Sequence, residues 1–128
     1  MHLKPEPGTY ALVCTCRSTR RITVGRLGTM QLRPGMYIYV SSALGPGGVR
    51  ARIAHHHRKV VSPYWHIDAL RRYVRIDRVL VAYGRRRREC KWAAEFGALP
   101  GASIPLPGFG SSDCHCAAHL FYFETIIG

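Results

Sequence analysis

The stretch that most constrains this chain is MYIYV at residues 36–40, followed at once by SSALGPGG at residues 41–48. Five residues rich in aromatic and β-branched side chains read as a strand. The glycine-rich loop ends that strand and feeds a helix expected from residue 49 to about residue 59, in which Val49, Ile53 and Val60 recur on roughly one face among Arg and His. Further strands are expected at residues 9–16, 20–24, 76–83 and 119–124, with residues 25–34, which hold two glycines and a proline, as a connection. A second helix, opened by Pro63, carries Trp65, Ala69, Leu70 and Tyr73 at spacings near three and four; a third covers residues 89–99. Residues 97–110, rich in glycine and proline, should be mostly loop. Strands first, then helices mixed with strands, predict an α+β fold with a small, mostly antiparallel central sheet flanked by helices. The 128 residues suit a single domain, residues 1–128, and a hydrophobic share of 47% supplies a core and excludes wholesale disorder. No apolar run approaches the roughly 20 residues that a membrane span needs, so no membrane partner is expected.

Charge narrows the class of partner. Lys and Arg number 19 against 7 Asp and Glu, a formal net charge of +12. Such an excess points to a polyanion, most often nucleic acid, through counterion release. The basic side chains offered to it are Arg50, Arg58 and Lys59 on the first helix and the run Arg85, Arg86, Arg87 and Arg88. Arg50 and Arg52 stand two apart and cannot share a helical face, so one can enter a site while the other meets solvent. The glycine-rich turn ahead of this helix is a place where free N–H groups suit phosphate, although GPGG is not a Walker motif.

Five cysteines, Cys14, Cys16, Cys90, Cys114 and Cys116, are an odd number, and the opening MHLKPEPGTY has no basic-then-apolar signal pattern. The expectation is a reducing cytoplasm and no disulfide scaffold. Cys114, Cys116 and His119 form C-x-C-x-x-H, which suggests zinc but is short. A fourth ligand must come from elsewhere, with Cys14, Cys16, His66 and Cys90 as the choices; buried thiols and a metal-free protein are the default expectation. His66 and Asp68, in WHID, join Cys114, Cys116 and His119 as a candidate second site. Adjacent residues of the run His55, His56 and His57 point about 100° apart on a helix, so at most one serves any given site. The acids are few and scattered, which suits a site with one metal and a single carboxylate better than a two-metal site. Glu89, opening a helix straight after four arginines, is that carboxylate, or else a first-turn complement to the helix dipole.

The order GTY at residues 8–10, YVS at 39–41, Val49-x-x-Arg52-Ile53-x-x-His56 and a late helix opened by Glu89 resembles the GIY-YIG nuclease superfamily. Closer still is the resemblance to an uncharacterised, largely archaeal prokaryotic family of GIY-YIG-like domains with GTY, YVGSA-GPGG, WHID, EC and GFGSSDC motifs. Its counterparts here are GTYAL, YIYVSSALGPGG, YWHIDAL, REC and GFGSSDCHCAAHLFYF, across nearly the whole chain. The resemblance implies metal-dependent phosphodiester hydrolysis. Tyr10 would help activate the attacking water, Arg52 would bind the scissile phosphate and Glu89 would hold one Mg²⁺ or Mn²⁺. Tyr39 and His56 would stand beside them. Thr9, Ser41 and a long connection between the two motifs depart from the superfamily pattern. The expected function is a metal-dependent endonuclease on DNA or a related nucleic acid. The alternatives are a non-catalytic nucleic-acid-binding module, associated with DNA repair, and a small zinc-stabilised structural protein.

Overall fold

A computed structural model describes residues 2–59, 65–111 and 114–124. Its strands are β1 (Gly8–Cys16), β2 (Arg20–Val24), β3 (Gly28–Leu32), β4 (Gly35–Ala43), β5 (Val74–Tyr83) and β6 (Leu120–Phe123). Its helices are α1 (Gly48–His57), α2 (His66–Arg71) and α3 (Glu89–Gly97). Four strands form the central sheet in the order β5-β1-β4-β6, and β2 and β3 form a separate hairpin. Every named strand pairing is antiparallel. The expected α+β architecture, a mostly antiparallel sheet flanked by helices, is the one observed.

Alternation along the central strands gives the sheet two apolar faces. Tyr10, Leu12, Cys14 and Cys16 of β1 and Tyr37 and Tyr39 of β4 share one core with Val49 and Ile53 of α1, Ile67 and Leu70 of α2, and the hairpin residues Val24, Met30 and Leu32. Ala11 and the intervening β4 residues Met36, Ile38 and Val40 face the other way, against Phe121 and Phe123 of β6 and Ala93 of α3. Both central strands therefore lack the polar face of a half-solvated sheet.

Boundaries shift by a few residues in several elements, and two departures from expectation bear on the site. Residues 25–34, read as a connection, contain β3: Met30 and Leu32 are buried while Thr29 and Gln31 are exposed. That two-residue period is the strand signal, and the flanking glycines and proline hide it. Next, β4 runs on to Ala43, because Ser41, Ser42 and Ala43 pair with Tyr10, Thr9 and Gly8 of β1. Pro63 and Val60, invoked for the second and first helices, lie outside the described residues.

The GPGG turn does not cradle an anion. Gly47 and Gly48 adopt φ of 82° and 58°, and a Cβ on Gly48 would stand 2.2 Å from the Glu6 carbonyl oxygen. That close approach lets the chain's own N-terminal segment cap α1: Val49 N–H donates to Glu6 O at 2.9 Å and Arg50 N–H to Lys4 O at 3.2 Å. The first-turn donors that a phosphate would need are thus occupied.

Candidate active site

The ladder between β4 and β6 covers Met36 to Tyr39, and Val40 N–H adds a bond to His119 O at 2.9 Å. Past that point β4 continues while β6 has not begun. A polar cavity of about 280 Å³ sits at this open end, lined by Tyr39, Ser41, Ser42, Arg52, Trp65, His66, Arg87, Glu89, Gly110, Cys114 and His119, with Leu44 and Gly45 at the start of the glycine turn.

Each wall has a local cause. Arg52, one turn into α1, lays its guanidinium 4.4 Å from the centre of the Trp65 ring and donates from Nη1 to Ser42 O at 3.3 Å. Stacking and a carbonyl partner fix its direction. Glu89 opens α3 and complements the helix dipole, with its carboxylate 3.6 Å from Arg87 Nε. His66 Nδ1 accepts from Gly110 N–H at 2.9 Å. Gly110, at φ 74°, has no room for a side chain, since a Cβ would stand 3.0 Å from His119 and 3.1 Å from Tyr39.

Behind the cavity lies a buried chain of polar groups. The Tyr10 hydroxyl is 2.7 Å from His56 Nε2, with both residues buried. Burial raises the pKa of Tyr10 above the phenol range, while Arg52 and the Ser41 hydroxyl pull it back. Tyr39 is raised mainly by burial as well, and then by its neighbour Tyr10. His56 is pushed down to about 3, first by burial and then by the positive charges of Arg71 and Arg52, so the folded protein holds it neutral. An unfolded chain protonates it below about 6.5. Stability is therefore expected to fall as pH drops from about 6.5 towards about 3. Denaturant melts across that window should show less acid loss in His56→Gln than in the native chain.

The predicted site residues do not all meet in one place. Tyr39, Arg52, His66, Arg87, Glu89, Cys114 and His119 meet in the cavity. Tyr10 and His56 stand behind its wall. Of the expected nucleic-acid contacts, Arg85 and Arg86 are exposed beside the cavity residue Arg87, while Arg88 is half-buried and gives its backbone N–H to Thr9 Oγ1 at 3.1 Å. Arg50 is exposed and borders a separate groove with His57 and Asp77; Arg58 and Lys59 border another, with Arg71 and Arg72. Of the pair Arg50 and Arg52, then, it is Arg52 that turns inward.

Asp68 does not join the cysteines and is removed from the second site. Its buried carboxylate accepts from Trp65 N–H at 2.9 Å and from Arg71 Nε at 2.9 Å, closing the first turn of α2. The fourth donor comes instead from Cys90, one of the residues that spacing leaves open. Ligand atoms of Cys90, Cys114, Cys116 and His119 all lie within 4.8 Å of one another, a group that could hold a metal ion. The default of buried thiols holds for Cys14 and Cys16 alone: Cys90 is exposed and Cys114 and Cys116 are half-buried. Ser41, Ser42, Trp65 and Gly110 lie in the motifs quoted above, yet nothing in their spacing marks them as cavity walls, because it does not show where β6 stops short.

Fold and site thus define a small α+β protein with a polar cavity lined by two arginines and a glutamate, and a thiol–imidazole cluster beside it. Residues 9–127 match the profile of a family described as Domain of unknown function DUF123, and the chain belongs to that family. No curated protein and no solved structure matches the chain. Among the described residues no helix is long and apolar enough to cross a membrane.

Proposed function

We propose that the chain is a metal-dependent endonuclease of GIY-YIG type, acting on DNA or a related nucleic acid. The observation that carries this reading is the convergence of Arg52, Glu89 and Tyr39 on one cavity, with the Tyr10–His56 pair directly behind it. The donor set fits a hard divalent cation: Mg²⁺ commonly takes one or two carboxylates and fills its other positions with water and substrate phosphate. Glu89 would hold it. When bound, Mg²⁺ or Mn²⁺ supplies Lewis-acid stabilisation of the charge that gathers on the phosphodiester.

The chain's own groups do the rest. Arg52, pre-aimed by Trp65 and Ser42, binds a non-bridging phosphate oxygen without reorganising. Arg87, at the rim, pairs with Glu89 at rest and is placed to meet the phosphate backbone. Ser41 and Tyr39 line the cavity, and behind it the Tyr10 hydroxyl is 2.7 Å from His56 Nε2; these are the groups through which a proton from the incoming water would pass. In the resting protein His56 is a poor base, in part because Arg52 repels a second positive charge. A phosphate bound at Arg52 offsets that repulsion and raises the basicity of His56 once substrate is in place.

The test is cleavage of duplex, branched and single-stranded DNA and RNA with Mg²⁺ or Mn²⁺, with and without chelator. Metal-dependent cutting is expected. Failure to cut any of these under either metal overturns the reading. A second reading, a nucleic-acid-binding module without catalysis, is favoured by one observation: Tyr10 is wholly buried and its hydroxyl is engaged by His56.

Both readings require binding, and exposed Arg85 and Arg86 supply its long-range part. Affinity should fall steeply with salt. Replacing both arginines by Ala should lower the log–log salt slope by about 1 for each phosphate that is no longer neutralised. Titrations at several salt concentrations measure this; a flat dependence in the native chain would remove nucleic acid as the partner.

A further inference from the structure

We propose that Cys90, Cys114, Cys116 and His119 bind one structural Zn²⁺, which staples the start of α3 and the loop before β6 to the central sheet. Three thiolates and an imidazole form a complete tetrahedral zinc shell, the closed arrangement of structural rather than catalytic sites. The four ligand atoms are already gathered within 4.8 Å, and Cys114 Sγ lies 3.2 Å from His119 Nε2. Zinc–sulfur bonds of about 2.3 Å place tetrahedral sulfurs roughly 3.8 Å apart, so small side-chain adjustments complete the shell.

Placement explains what the ion is for. Between α3 and β6 no regular helix or strand is named among the described residues. The loop is tied down at scattered points: Gly108 N–H to Ala117 O at 2.7 Å, His119 N–H to Phe109 O at 2.7 Å, and Ser103 with Tyr122. A segment this short of repeating hydrogen bonds gains most from a metal clip, because an ion that binds only the folded state adds its binding free energy to folding. His119 is buried, and its backbone carbonyl holds Val40 of β4. Cys90 sits in the first turn of α3. The ion therefore links both to the loop that carries Gly110. Exposed Cys90 and half-buried Cys114 and Cys116 are also unlike the inert, fully buried Cys14 and Cys16. With no open coordination position, the zinc takes no substrate. Because Cys90 follows Glu89 directly, the ion also fixes the cavity carboxylate; that consequence alone rests on the proposed hydrolytic activity.

The test is metal content, independent of any cleavage. Native protein purified from zinc-supplemented cells without chelator should hold one zinc per chain by elemental analysis. Protein reconstituted with Co²⁺ should show thiolate-to-cobalt charge transfer and the intense visible bands of a tetrahedral ion. Cys90→Ser and Cys116→Ser should lose the metal, and exposed Lys91→Ala should keep it. A metal-free native preparation, a cobalt spectrum without thiolate charge transfer, or wild-type zinc stoichiometry in Cys116→Ser overturns the proposal. The first two of these readouts use the native chain, so misfolding of a variant cannot mask the answer. Zinc found in a protein that cuts nothing would sustain this inference while the hydrolytic reading fails.

Discussion

Glu89→Gln should lower metal-dependent cleavage by roughly 100-fold or more while leaving nucleic-acid affinity largely intact. Gln keeps the shape of the side chain at the start of α3 but removes the charge that a divalent cation needs. It also frees Arg87, whose Nε stands 3.6 Å from the carboxylate, so binding has no reason to weaken. Arg52→Ala should cost cleavage by a similar factor, since it removes the group that the proposed mechanism sets against the phosphate. Arg52→Lys should not restore it, because an ammonium cannot reproduce both the stacking on Trp65 and the planar fork. Single-turnover cleavage at saturating protein separates these effects from binding. Native-like cleavage by Glu89→Gln would remove Glu89 from the site even if the enzyme class stood.

Arg71→Met should destabilise the fold by roughly 3–5 kcal/mol. Arg71 is nearly buried: Nε donates to Asp68 Oδ1 at 2.9 Å, and Nη1 reaches the carbonyl oxygens of His56 and Arg58. One side chain thus balances a buried carboxylate in α2 and satisfies two carbonyls at the C-terminal end of α1. Methionine fills the volume but leaves the carboxylate without its closest cation. Asp68→Asn in the same chain should recover part of the loss by removing the buried charge. Urea unfolding measures both; a single variant within about 1 kcal/mol of the native chain would show that the clamp is solvated in solution. Because α1 also carries Arg52 and His56, this variant should lose cleavage as well, through position rather than chemistry.

The difference between these two variants follows what can be read directly from residues. Tyr10, Tyr39, Arg52 and Glu89 are singled out through the resemblance to the GIY-YIG motifs. The strand at 36–40 is legible because its aromatic and β-branched side chains favour extended backbone. Arg71 gives no such sign, since its importance comes from carbonyls of α1 and a carboxylate of α2 that meet only after folding. The hairpin strand β3 escapes notice because its glycine and proline neighbours outweigh a pattern of only two buried residues. Asp68 gives no sign of its actual partners, because the first turn of α2 turns the carboxylate back onto Trp65 N–H and Arg71.

Layering into α+β elements, cationic character and the residue types available for chemistry are all legible along the chain, because periodicity, charge and side-chain identity are local properties. Which of those residues meet is a matter of chain path. Cys90 joins Cys114, Cys116 and His119 because antiparallel pairing of β6 with β4 brings the segment just before β6 back against α3. The cavity exists because β4 outruns β6 at the same place, and the GPGG turn loses its anion-binding donors because Lys4 and Glu6 fold over them. Each of these is a long-range contact set by strand register and the route of the backbone, and no spacing within a single segment encodes it.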